Sequence, residues 1–357
     1  DVYKRQVYNS GATLPSGNLN YQGDIWMDIN GGAFGIIAGG VTNEWSTKLQ
    51  TSTLTGDTHV QLSGDATAEH VIGGNNKGAS TTLTGNTNVT VKDNAIVAGA
   101  IIGGSTSAHN AVTTITGNTS VLVTNVQYSN TAQNLDGGLS NSYIIGGSSW
   151  SSNTTSGTTI QGSTSATINL NGITLSGTEE HNSFVKTIIG GSYGNVNNAG
   201  TVNNINGDTS VSIIGREGIT FTGDIIGGSF ENSGQAQYTI GGNSSISISG
   251  GSTFTGNIYG GSYSKVPGNT GSTMTTAGNI TVELGTGTYR GNIYGAGNKG
   301  TAGGDVLVSL TGGSVFGAEG EQSGITIGGS AGAAVEGNRT LELKGTFGDA
   351  DFQYASF

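Results

Sequence analysis

Glycine-flanked serines are the first residues here whose spacing could do chemistry. Gly190–Gly194 (GGSYG) and Gly328–Gly332 (GGSAG) satisfy G-x-S-x-G, which on a strand-to-helix elbow exposes a nucleophilic hydroxyl. The same Gly-Gly-Ser recurs where the last Gly is missing, so Ser192 and Ser330 read as turn residues. GAGNKG, from Gly295 to Gly300, fits the phosphate-cradling G-x-G-x-x-G but is followed by no helical pattern that would hold a pyrophosphate. His59, His70, His109 and His181 are too scattered for a zinc site or a His-based triad. Gly303-Gly304-Asp305 is a lone fragment of the calcium-binding β-roll pattern. The sequence thus assigns no catalytic residue, no metal and no cofactor.

Sugar chemistry is the serious alternative. Glycoside hydrolysis needs two carboxylates about 5–9.5 Å apart. Asp57 with Asp208 lie several repeats apart, Glu179 and Glu180 sit in an insertion, and Asp349 and Asp351 in an irregular tail. A polysaccharide lyase or hydrolase is therefore the second reading, and a purely structural spacer the third. For binding, an aromatic follows Gly-Gly-Ser in four consecutive repeats: Trp150 (one residue further on), Tyr193, Phe230 and Tyr263. Stacked in register they form a ladder, which either faces outward as a carbohydrate platform or packs inward for stability.

The elements that position these residues follow from a repeat. An apolar pair and a small-residue turn recur nine times, with first glycines at Gly39, Gly73, Gly103, Gly146, Gly190, Gly227, Gly260, Gly295 and Gly328, a mean step of about 36 residues. Between them runs a second signature, as in LTGNTNVTV from Leu83 and INGDTSVSI from Ile205. Val211 and Ile213 alternate with Ser210 and Ser212, the pattern of a strand buried on one side. Each repeat reads as three short strands with Gly, Asn or Asp at the bends. One such unit cannot bury its apolar face, but stacked copies can. The expected fold is all-β, a right-handed parallel β-helix (β-solenoid) of about nine coils, roughly 40 Å long at about 4.8 Å per coil. A β-propeller is the rival; its fourth strand per blade is not evident.

Composition agrees. Gly (66), Asn (34), Ser (39) and Thr (48) supply 187 of 357 residues. Hydrophobic residues are 33% and charged residues 10%, against roughly 45–50% and ~25% in ordinary domains. So much glycine opposes helices. A net charge of −11 with 12 Lys+Arg opposes nucleic acid, whose backbone calls for clustered cations. The chain has no cysteine, hence no disulfide.

In domain terms, Asp1–Gln6 (DVYKRQ) back-translates to the end of a transposon adaptor used in sequencing libraries and is set aside. Residues 7–31 read as an irregular segment or partial coil, 32–336 as the repeats, and 337–357 as a terminal coil fragment where the chain is expected to be cut. The insertions Asn125–Asn141 and Asn171–Lys186 read as projecting loops.

The units GITFTGDIIGGSF, GSTFTGNIYGGSY and TGTYRGNIYGAGN, with the closing GNRTLELKGTF, resemble the repeats of autotransporter passengers and related adhesin-like surface proteins of gut bacteria. The resemblance covers about residues 32 to 357. It implies a secreted β-helix at a Gram-negative cell surface, attached to the outer membrane only through a C-terminal barrel outside this sequence. The functional expectation is a non-enzymatic adhesin-like segment, a stiff rod whose loops and ladders bind host or mucus glycans or neighbouring cells.

Overall fold

Ser244–Ser249 shows how the alternation works: Ser244, Ile246 and Ile248 are buried, while Ser245, Ser247 and Ser249 face water. An alternating strand solvates one face and needs partners above and below for its backbone and a core for its other face. The computed structural model describes residues 19–41, 51–76, 80–107, 112–126, 143–151, 157–172, 183–195, 201–232, 235–265, 273–329 and 333–357. There the strands stack as a right-handed parallel β-solenoid.

The coil from Gln237 to Ser264 has five short strands: Gln237–Ile240, Ser244–Ser249, Thr253–Phe254, Ile258–Tyr259 and Tyr263–Ser264. Repeated along the axis, these make an entry wall and a long wall of ten strands each, an aromatic wall and a closing wall of five each, and an isoleucine wall of eleven. The pairing is in register, like on like. Val60, Val89, Val121, Ala166, Val211 and Ile246 follow one another inside the long wall. Ile101, Ile144, Ile188, Ile225, Ile258 and Ile293 do so in the isoleucine wall. Both columns are sealed in one continuous core, each side chain contributing about 1.5–3 kcal/mol of burial.

Sequence patterning finds three of the five strands. The entry wall escapes it because each of these strands buries one aliphatic, Leu83, Ile115, Ile160 or Ile205, only two residues after a buried Thr81, Thr113, Thr158 or Asn203, so no apolar alternation marks it. The first coil is built from Leu19–Gln22, Ile25–Asn30 and Ala33–Ala38, paired in register with the next. Arg339–Lys344 adds the last strand of the long wall, followed by a short 3₁₀ turn, Asp349–Phe352. Most of both insertions lies outside the described residues.

Three side-chain ladders lock the coils. At the corner before the long wall, each Asp, Asn or Ser side chain accepts the backbone N–H of its counterpart in the next coil, through Asp24, Asp57, Asn86, Asn118, Ser163, Asp208, Asn243, Asn279, Asp305 and Asn338, at 2.7–3.0 Å. At the Gly-Gly corner, Ser105, Ser148, Ser192, Ser229 and Ser262 repeat the device in the opposite direction: each hydroxyl accepts from the residue one coil earlier at 3.0–3.1 Å. Across five coils, the first hydroxyl of the long wall, on Thr58, Thr87, Thr119, Thr164 or Ser244, donates to the first glycine carbonyl, as Thr87 to Gly103 at 2.6 Å and Thr164 to Gly190 at 2.6 Å. These bonds satisfy corner groups that a strand ladder leaves open.

Candidate functional site

The ladder reconciles most of the residues singled out by motif. Ser192 is buried, its hydroxyl committed to the N–H of Ser148, so it is a rung and presents no nucleophile. GAGNKG leads into the strand Gly300–Ala302 rather than a helix. Asp57, Asp208 and Asp305 all cap backbone N–H groups in the corner ladder. Hydrogen bonding from the Asn86 backbone holds the Asp57 carboxyl below its usual range. Asp351 accepts the N–H of Gly348, closing the 3₁₀ turn. Among the described residues, no three His, Asp or Glu side chains converge. Ser330, His109, His181, Glu179 and Glu180 lie outside the described residues.

The aromatic ladder needs a correction in register. Ser149, Tyr193, Phe230 and Tyr263 pair in one row, whereas Trp150 pairs with Ser107 on one side and Gly194 on the other. By register, therefore, Trp150 lies one position outside the row. The rings in the row are contiguous: Tyr193–Phe230 at 5.4 Å and Phe230–Tyr263 at 5.3 Å, extended by Tyr143 at 4.6 Å from Tyr193 and by Tyr259 at 4.4 Å from Tyr263.

These rings cover the second isoleucine of each Ile-Ile-Gly-Gly. Ile145, Ile189 and Ile226 turn away from the main core and form a second cluster with Tyr193, Phe230 and Tyr259. Tyr193 and Phe230 are only 2% and 5% exposed, which leaves no ring face for a ligand; Tyr263 is half-buried. Burial raises the hydroxyl pKa of both Tyr259 and Tyr263.

A second aromatic stack passed unnoticed in the sequence. Phe184, Phe221, Phe254, Tyr289, Phe316 and Phe352 run one above another at 4.9–5.4 Å inside the main core. Its signal is the Thr-Phe or Thr-Tyr just ahead of Gly-[Asp/Asn]-Ile at Phe221, Phe254 and Tyr289, which Phe184 and Phe316 lack.

Among the ionisable side chains sealed inside are the Tyr238–Glu231 pair and Lys186. Tyr238 donates its hydroxyl to Glu231, and both are buried. Burial first, then the Glu231 carboxylate, pushes the Tyr238 hydroxyl well up. Lys186, 3% exposed, donates to the carbonyls of Ala98 (3.1 Å) and Gly99, spanning the coil between them. Burial brings its amine down to about 7 from 10.5; a neutral amine still has two N–H bonds for two carbonyls.

The sign of the linkage follows. Between about 7 and 10.5 the unfolded chain holds the extra proton, so this group makes stability rise with pH through that window and adds no slope below it. From pH 7 to 9.5 the unfolding free energy of the wild type, from urea titration, should rise relative to Lys186→Met by about 1 kcal/mol per pH unit. Parallel pH profiles for the two proteins would refute a neutral Lys186.

What remains exposed is the outer face of the long wall. One row runs Trp26, His59, Asn88, Ser120, Ser165, Ser210, Ser245. The next runs Asp28, Gln61, Thr90, Leu122, Thr167, Ser212, Ser247. Along the axis the rows are a hydroxyl lattice, and at the N-terminal end they become a cluster. Trp26, 64% exposed, stacks on His59 at 3.8 Å and 12°. Asn88 lies 3.5 Å from His59 Nδ1 and accepts from Ser120 at 2.7 Å, and Gln61 donates to Asp28 at 2.9 Å.

Fold and surface define the class: a parallel β-solenoid with sealed ionisable groups and a hydroxyl-rich outer wall. No family model, curated protein or solved structure matches the chain.

Proposed function

We propose that the chain is a segment of an extracellular, adhesin-like passenger displayed at a bacterial surface, where it binds host or mucus glycans or neighbouring cells. The observation that carries this reading is the division of the molecule. Among the described residues, Ser192, Asp57, Asp208 and Asp305 are spent on ladders and Lys186, Tyr238 and Glu231 are sealed in the interior, while the middle strands of the long wall offer an array rich in hydroxyls. Such an array suits many weak contacts multiplied by copy number. The hydrolase reading loses support because Asp57 and Asp208 both serve the corner ladder.

The test is surface display on a Gram-negative host through a fused outer-membrane translocator. Displaying cells should be retained on immobilised mucin, or aggregate, several-fold more than cells displaying a solenoid spacer of equal length. Equal retention and no aggregation would overturn adhesion in favour of the spacer.

A further inference from the structure

The outward face of the entry wall keeps one residue type in one register. Thr53, Thr82, Thr114 and Thr159 follow one another along the axis, and after Asn204 the column resumes with Thr239, Thr275 and Thr301. In three consecutive coils a second column runs beside it: Thr55 pairs with Thr84, and Thr116 follows, its N–H on the Leu83 carbonyl. Between the two columns Leu54, Leu83 and Ile115 point inward and are buried, so each of these coils presents a Thr-x-Thr pair on the outside. The second column is exposed and the first exposed or partly so. From Ser52 to Ala302 no strand of this wall carries a charged residue, although the chain carries −11. The long wall differs, with His59, Lys92 and Glu283 in its strands. The core asks only for a polar residue at an outward position, and the long wall meets that with Asn88, Ser120, Ser165 and Ser210. Threonine in seven of eight coils is more than the fold requires.

Threonine suits an ordered partner. Its β-branched side chain is stiff at χ1, so little entropy is lost when its methyl and hydroxyl are fixed against a surface. In-register strands set the step of each column at about 4.8 Å, and two residues along a strand set the columns about 6.6 Å apart. Hexagonal ice repeats at nearly the first distance along one lattice axis, and at a distance on the order of the second along another. Seven steps of the main column cover roughly 34 Å, and weak contacts repeated at a lattice spacing add up. The absence of charge fits the same partner, since a charged side chain would have to give up its hydration to lie against the lattice. We propose that the outward face of the entry wall, from Thr53 to Thr301, binds ice, with the three Thr-x-Thr pairs as its centre. Crystalline cellulose is also uncharged, but its C–H faces call for aromatic platforms, and the outward positions of these strands carry none.

Ice binding goes beyond the adhesin reading and can fail separately from it, because that reading rests on the long wall and is tested by cells on mucin. Ice is grown slowly on a cold probe from a solution of the purified chain, and the protein in ice and liquid is assayed. In parallel, the grain size of polycrystalline ice is followed during annealing. The wild type should enter the ice several-fold more than a charge-matched globular protein, and should hold the grains small. Thr82→Lys, in the middle of the paired array, should lower both effects several-fold, while Ser210→Lys on the long wall should change neither. Unchanged far-ultraviolet circular dichroism verifies that the variants fold. The double variant Thr82→Ser/Thr114→Ser keeps both hydroxyls but loses two methyls and their stiff rotamers; it should also lose activity several-fold, and it carries the test if Thr82→Lys unfolds. Any of four results overturns the proposal: wild type left in the liquid like the control, folded Thr82→Lys or the double variant as active as wild type, Ser210→Lys losing as much as Thr82→Lys, or retention on crystalline cellulose without entry into ice.

Discussion

Replacing Gly190 with alanine lowers the stability of the solenoid by about 3 kcal/mol or more, the upper part of the range for forcing atoms into packed structure. A Cβ at this position would stand 2.4 Å from the Gly227 carbonyl oxygen and 3.0 Å from the Ser210 backbone, both in the next coil. Every one of these neighbours is backbone, so no side chain can swing aside. Relief requires the coils to part, which strains the Gly190 N–H bond to Ile226 (2.8 Å) and the Thr164 bond to the Gly190 carbonyl (2.6 Å). The control is Gly348→Ala. That glycine is extended, with φ −94°, and nothing approaches its Cβ position within 4 Å. Its substitution should leave stability within about 0.5 kcal/mol. Urea midpoints of the two variants decide the matter: equal shifts would mean that the Gly-Gly corner is a flexible turn and its close stacking carries no weight.

That corner was legible in the sequence, and the reason for it was only partly so. Nine punctuations, eight Gly-Gly and one Gly295-Ala296, set the coil and its period. A glycine at a bend suggests a left-handed backbone, yet Gly190 and Gly227 have no positive φ; both are glycine because the neighbouring coil leaves no room for a Cβ. The Asp and Asn of T-G-[D/N]-T were read as bend residues. Their role as acceptors from the next coil depends on register, which a single repeat does not display.

Trp150 shows the opposite error. It follows Gly-Gly-Ser as Tyr193 does, but one inserted serine moves it to the alternate position. Trp26 was hidden by its setting: the N-terminal segment lacks most of the second signature, so its strand read as irregular, although Ile25, Met27 and Ile29 alternate inward as elsewhere. The entry wall was illegible for a simpler reason, since a strand whose one buried aliphatic, such as Leu83, is partnered by a buried Thr or Asn shows no apolar alternation.

The internal aromatic stack carries the second large expectation. Phe254 is 1% exposed and lies between Phe221 (4.9 Å, 15°) and Tyr289 (5.2 Å, 9°). Phe254→Ala should cost about 3–5 kcal/mol for a buried ring and the space it leaves. Phe254→Leu keeps most of the apolar volume but loses two ring contacts worth about 0.5–1.5 kcal/mol each, so it should cost about 1–3 kcal/mol. Where the loss falls is as telling as its size. A solenoid coil touches only its neighbours, so stability is a sum of local terms, and a long array with a weak rung need not unfold in one step. Hydrogen exchange of Phe254→Ala should therefore show protection falling in the strands around Phe221, Phe254 and Tyr289, while the long-wall strands at Thr58–Ser63 and Thr87–Lys92, several coils away, keep theirs. A uniform loss of protection from Thr58 to Phe316 would mean that the ladders couple the coils into one cooperative unit, and that a defect anywhere in the rod reaches its binding face.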